Sequence, residues 1–264
     1  MHATWNAIVK GSGDTLMTTI AVAGGAMVVA AAALPFLPLP ARESWPFLAA
    51  STLLQIAYYG LVARTYHIAD MGMAYPLMRG SAPMLVALFS AFFLGEMLPT
   101  LAWAGLAVLC AGIFAMAGAS GRGAGRKGMG LALLNACAIA GYTLVDGAGV
   151  RVSGSPAAYI LWITLLPGLL LSGWAMLWRR QAFRAYLARR WHLGLLGGAG
   201  AVLSYGLALW AMTRAPVAIV AALRETSILF GALIAMVILK EKLGMARLVP
   251  IGLIAAGAML LRLT

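Results

Sequence analysis

Residues 101–116 read LAWAGLAVLCAGIFAM, a run with no charged side chain and no proline. Residues 228–239, ILFGALIAMVIL, repeat the pattern. Runs this long and continuous suit a helix surrounded by hydrocarbon, since each membrane span takes roughly 20 mostly apolar residues. They do not suit a β-barrel, whose strands alternate in polarity over short segments. The rest of the chain agrees: 63% of its 264 residues are hydrophobic and only 10% are charged, where a soluble domain carries about 25% charged residues. The chain is therefore expected to be an all-α, polytopic membrane protein. In lipid, a helix satisfies its backbone polar groups within the segment.

With turn residues as punctuation, spans are expected near residues 15–37, 45–64, 72–95, 100–118, 128–150, 156–178, 191–212, 216–239 and 245–263. A shorter piece at residues 2–10 opens the chain. The connections are short, and none leaves room for a soluble domain. Residues 179–190, RRQAFRAYLARR, are basic with Phe183, Tyr186 and Leu187 interspersed. They read as an interfacial segment on an anionic membrane surface. The net charge of +12 does not argue for nucleic acid, because the basic residues sit in the loops where membrane topology places them. Odd-numbered loops, residues 179–190 among them, carry most of the Lys and Arg, so by charge count those loops are expected in the cytoplasm and the C-terminus outside. Cys110 and Cys137 fall inside apolar runs. They make neither a disulfide framework nor a metal site, and no cofactor is expected.

Residues 71–98 align without gaps on residues 216–243, at an offset of 145. Arg79 falls on Arg224, Leu88 on Leu233, Glu96 on Glu241 and Leu98 on Leu243, and further along Gly112 falls on Gly257. A second match, at an offset of 137, lays residues 5–9 on residues 142–146. Two halves of five spans follow: residues 1–118, a basic linker at 119–127, and residues 128–264. An odd number of spans per half turns the second half upside down, as in many secondary transporters. The expected architecture is a ten-helix bundle of two inverted five-helix repeats. Residues 2–10 would cover about 14 Å as a helix against roughly 30 Å of hydrocarbon. The first helix is therefore expected to be truncated at the N-terminus.

HATWNAIVK at residues 2–10, YPLMRGSAPML at 75–85, LGEML at 94–98 and LKEKL at 239–243 resemble the EamA-type members of the drug/metabolite transporter superfamily. The resemblance covers essentially the whole chain apart from the start of span one. It implies a carrier of small metabolites that uses no ATP, in the cytoplasmic (inner) membrane of a bacterium. It also implies both termini inside, the opposite of the orientation expected from the charge count. The HATWN-type branch points toward anionic metabolites such as phosphonates. The partners so implied are a small-molecule substrate and the lipid bilayer, with a homodimer admissible and no nucleic acid.

Arg79, Asp146, Arg224 and Glu225 lie inside spans. Each intramembrane charge costs on the order of 3 kcal/mol on insertion scales, and such residues usually face a bundle interior or a wet cavity. Guanidinium suits carboxylate and phosphate, which makes Arg79 and Arg224 candidates for holding an anionic substrate. The competing reading is structural: an ion pair of Arg224 with Asp146 or of Arg79 with Glu225, or an arginine snorkelling to the interface. Asn135, Tyr142 and Asp146 make a polar stripe along span six. Asp146 there is either a protonatable carboxylate in a cavity wall or a helix-end residue among headgroups. Glu225 is the second candidate for proton coupling. Tyr75 lies one turn from Arg79, and Pro76 and Pro83 bracket that arginine as candidate kinks. Ser51, Gln55 and Tyr58 or Tyr59 form a polar face of span three, with Ser204 and Tyr205 at the matching place in span eight. Tyr75, Tyr142, Gln55 and Tyr59 join the substrate-binding candidates. Glu96 and Glu241 are expected to cap or orient tight turns, and Gly112 and Gly257 to allow close helix contact.

Residues 123–128, GAGRKG, fit GxGxxG but follow a membrane span instead of a strand. The chain has no GK[ST] phosphate loop, no HExxH and no His/Cys cluster of zinc type. The function expected is secondary active transport. A membrane-embedded lipid-handling enzyme would need a nucleophile and base near the interface. A non-transporting membrane partner would need no polar cavity.

Overall fold

The computed structural model describes residues 15–68, 71–118, 125–227 and 245–264. Its main helices are α1 (Thr15–Ala33), α2 (Trp45–Ile68), α3 (Met71–Phe89), α4 (Thr100–Gly118), α5 (Arg126–Val152), α6 (Pro156–Trp178), α7 (Arg180–Met212), α8 (Val217–Arg224) and α9 (Met245–Arg262). No strand occurs among the described residues. Among those residues, six helices are long and apolar enough to cross a membrane: Leu16–Phe36, Arg42–Val62, Leu77–Leu94, Lys127–Val152, Pro156–Trp178 and Arg180–Met212. Thr100–Met116 and Val249–Arg262 are shorter apolar helices.

Polarity is distributed as lipid requires. Phe92, Phe93, Leu53, Leu177 and Leu196 are exposed, whereas Arg79, Asn135, Asp146 and Glu225 are buried. Water would favour the opposite arrangement, and so much exposed apolar surface marks contact with something other than water.

The chain forms two compact units, each drawing on both sequence halves: Met1–Ile56 with Val145–Arg214, and Ala57–Leu144 with Ala215–Thr264. The divides fall inside α2 and α5.

In the first unit, α1 packs on α6 and α7. Small residues make the approach close. A Cβ on Gly168 would stand 2.5 Å from the carbonyl oxygen of Ala23, and one on Gly194 would stand 2.7 Å from that of Ala21. Membrane helices associate through such contacts because burial from lipid gives little hydrophobic drive. Gly154, at φ +63°, follows the end of α5. Beside it the Ser153 carbonyl accepts from the Ala41 N–H at 2.8 Å.

In the second unit, α4 packs on α9 and α3. A Cβ on Gly112 would stand 2.8 Å from Ile254 N, one on Gly257 2.5 Å from Leu109 N, and one on Gly105 3.0 Å from Leu261 N. Positions advance along α4 as they recede along α9, so the two helices run antiparallel. This is the close contact expected of Gly112 and Gly257.

The spans observed differ from expectation in four places. α7 begins at Arg180, so residues 180–190 are helical and not a loop; its backbone departs from helical geometry only at Arg190, with φ −136° and ψ 21°. α5 begins at Arg126, inside the expected linker, whose residues 119–124 lie outside the described ones. Span four carries an irregularity beyond its prolines: α3 continues through Pro76 and Pro83, and a π-helical turn at Ser90–Leu94 follows, closed by Gly95 at φ +65°. Span nine is interrupted early, because α8 stops at Arg224 and residues 225–226 form a turn. The pieces of the expected pattern at residues 2–10 and 228–244, with Glu241, lie outside the described residues.

Candidate functional site

The first polar cluster belongs to the second unit and forms where α8 ends. Glu225 is the C-cap of that helix. Arg79 on α3 donates from Nε to Glu225 Oε2 at 2.8 Å, and the side chains are 6% and 2% exposed. Arg224 Nε stands 3.9 Å from Glu225 Oε1. A helix C-terminus carries partial negative charge, which adds to the attraction on both guanidiniums. The Arg79–Glu225 pair is one of the structural alternatives that the sequence leaves open, and it accounts for how charge is accommodated at this depth.

Around it, Asn135 on α5 donates from Nδ2 to the sulfur of Met78 at 2.8 Å, the residue before Arg79. Asn135 Oδ1 and Thr143 Oγ1 are buried with no hydrogen-bond partner among the described residues. Tyr142 meets Tyr58 edge-on at 5.7 Å between ring centroids, and Tyr58 meets Tyr59 at 5.2 Å. Tyr59 and Tyr142 are thus tied through Tyr58, a residue the sequence offers only as an alternative to Tyr59. The side chain of Tyr75 lies outside the described ones.

The second cluster belongs to the first unit. Asp146 is fully buried. Tyr205 on α7 donates its hydroxyl to Asp146 Oδ2 at 2.6 Å, and Tyr159 on α6 donates to Oδ1 at 3.4 Å. Asp146 is thus enclosed by protein. Gln55 in this unit donates to Ser51 Oγ at 2.9 Å, one turn back on α2.

Sequence reasoning missed Tyr159, which lies beyond the Gly154 turn from Asp146, where no helical period reaches. It also missed the target of Glu96. That carboxylate accepts from the Val217 N–H at 2.9 Å, so it caps the start of α8. Arg151 donates to the Met212 carbonyl at 2.8 Å, satisfying an end group of α7. No group of His, Cys, Asp and Glu that could hold a metal occurs among the described residues.

A search of curated proteins gives no match. Among solved structures, one crystal structure of a protein superimposes with a TM-score of 0.73 at 22% identity, covering 97% of this chain and 91% of that one. At that identity the likeness concerns the fold alone. The family model of the EamA-like transporter family matches residues 126–263, more than half of the chain, and takes in α5 through α9 with Asp146, Arg224 and Glu225. With long apolar helices and with Arg79, Asp146 and Glu225 buried, this match shows that the chain is a membrane protein belonging to the EamA-like transporter family.

Proposed function

We propose that this protein is a secondary active transporter that moves a small, anionic metabolite across the bacterial cytoplasmic membrane. Arg79 and Arg224 hold the anion, Tyr59 and Tyr142 wall the site, and Glu225 and Asp146 carry the coupled proton. The observation that carries this reading is the buried Arg79–Glu225 pair at 2.8 Å, placed where α8 stops inside an apolar run. Interrupted helices line the binding sites of many carriers.

The chemistry is an exchange of partners. Protonation of Glu225 neutralises it and releases Arg79, and the substrate anion then takes the place of the carboxylate. The charge enclosed is the same before and after, so the exchange avoids the large penalty of an uncompensated buried charge. Proton and anion binding are then linked, each strengthening the other by the same factor. The sequence has no ATP-binding motif, so a gradient or an exchanged solute supplies the energy.

The reading includes a ten-helix inverted repeat with halves at residues 1–118 and 128–264. The antiparallel contact of α4 with α9 supports it, because spans five and ten of an inverted pair must point in opposite directions.

The test uses Arg79→Gln, Arg224→Gln and Glu225→Gln in proteoliposomes, with a ligand found by a thermal-shift screen of organic anions and phosphonates. Glu225→Gln is expected to bind that anion more tightly and to lose the proton dependence of uptake. Arg79→Gln is expected to lose affinity by tenfold or more, on the order of the 1.4 kcal/mol that tenfold represents. If Arg79→Gln lowers stability by about 3–5 kcal/mol, as when one partner of a buried pair is removed, while affinity is untouched, the pair is purely structural and the anion site lies elsewhere.

A further inference from the structure

The basic stretch that opens α7 is a rigid element. Arg179 closes α6 with φ −131° and ψ 30°, and Arg190 departs from helical geometry in turn, so residues 180–189 form a helical segment bounded by a break at each end. At 1.5 Å per residue it is about 15 Å long. One side is fastened to the first unit. Phe183 is 3% exposed in a cluster with Met17, Ile20, Ala21 and Ala175, against which Tyr186 and Leu187 also pack. The Tyr186 hydroxyl donates to Thr18 Oγ1 at 2.9 Å.

On the other side, among Gln181 and three alanines, every exposed charge is basic. Arg179, Arg180, Arg184 and Arg189 are exposed. Arg180 and Arg184 are one turn apart and therefore neighbours on the helix surface. No Asp or Glu occurs in the sequence between Asp146 and Glu225, so no acid nearby in the chain neutralises them. Trp178 and Trp191 flank the segment and are 68% and 60% exposed. Exposed tryptophans at the ends of membrane helices mark headgroup depth.

We propose that this segment is a headgroup site for anionic phospholipid, with the lipid phosphate held between Arg180 and Arg184. This is more than adsorption of a basic loop. Phe183 fixes the segment against α1 and α6, so the guanidiniums are presented on a preorganised surface at the depth of the phosphates. The planar fork of arginine suits phosphate oxygens, and each basic residue near an anionic surface contributes about fivefold to binding.

The test is native mass spectrometry of the full chain in detergent with equimolar phosphatidylglycerol and phosphatidylcholine. Preferential retention of phosphatidylglycerol is expected. Arg180→Gln with Arg184→Gln should reduce that preference by about fivefold per arginine, and the Lys pair should retain part of it. Melting in phosphatidylcholine should be the same for the Gln pair as for the parent, which separates loss of the site from loss of fold. Equal retention of the two lipids by the parent protein, or an unaltered preference in the folded Gln pair, overturns the proposal. So does abolition of the preference by millimolar inorganic phosphate, which would make free phosphate the ligand.

Discussion

Gly257 lies so close to Leu109 that a Cβ on the glycine would stand 2.5 Å from the leucine backbone nitrogen, and Gly112 stands in the same relation to Ile254 at 2.8 Å. The two relations exchange under the repeat, since 254 − 109 and 257 − 112 both equal 145. Such reciprocity is the mark of a twofold contact, in which residue i meets j and j meets i. A side chain at either glycine has backbone in its way and cannot be accommodated by a rotamer change. Gly112→Val and Gly257→Val are each expected to cost about 1–3 kcal/mol, as overpacking does. Gly118→Val, on the same helix as Gly112 but with no neighbour within 4 Å of where its Cβ would stand, should cost far less. Thermal melting in detergent of the three variants measures the contrast.

Glu96 caps α8 across the fold, and removing the carboxylate leaves the Val217 N–H without this acceptor. Glu96→Ala is expected to cost about 1 kcal/mol, the usual penalty for a lost N-cap. Glu96→Gln keeps an acceptor oxygen and should recover most of it. Since α8 ends at Glu225, Glu96→Ala should also weaken anion binding more than a distant variant of equal stability does. Paired melting and affinity measurements check both statements.

Asp146 is held by two phenols, which places a proton-binding group within an enclosed hydrogen-bonded set. Asp146→Asn is expected to weaken proton-driven accumulation more than it weakens exchange of substrate across the membrane. Tyr205→Phe removes the shorter bond, at 2.6 Å, and Tyr159→Phe the longer, at 3.4 Å. The former should therefore alter the pH profile of uptake more. Unchanged proton dependence in Asp146→Asn would remove this residue as a carrier.

Gln181 is exposed on the basic segment. By the distribution of Lys and Arg that segment is expected in the cytoplasm. With Cys110 and Cys137 replaced by Ser, a cysteine at Gln181 should resist an impermeant thiol reagent added to intact cells and react after the membrane is opened. Ready labelling from outside would reverse the orientation.

Most helix positions are legible in the sequence because apolar runs ending at Pro, Gly or Arg mark the limits of spans. The exceptions have physical causes. Residues 180–190 read as a connection because of their charge, yet Ala, Arg, Gln and Leu are strong helix formers, and Phe183, Tyr186 and Leu187 stand at i, i+3 and i+4, the helical spacing with which they pack on α1 and α6. The π-helical turn at Ser90–Leu94 contains no proline, and no apolar periodicity marks it. The turn at Glu225 coincides with the polar residues 224–227, RETS, a dip too short to divide the apolar stretch around it. In the candidate site, the repeat draws attention to Arg79 and Arg224 because they align. Arg79 pairs with Glu225, one position out of that register, a pairing that the sequence offers beside others, because neither helix alone says which charges face each other.

The antiparallel seam between α4 and α9 also limits how those two helices can move. Backbone stands against backbone at Gly105, Gly112 and Gly257. Neither helix can slide or turn on the other without driving a side chain into its neighbour's main chain. Any rearrangement that carries α4 therefore has to carry α9 with it.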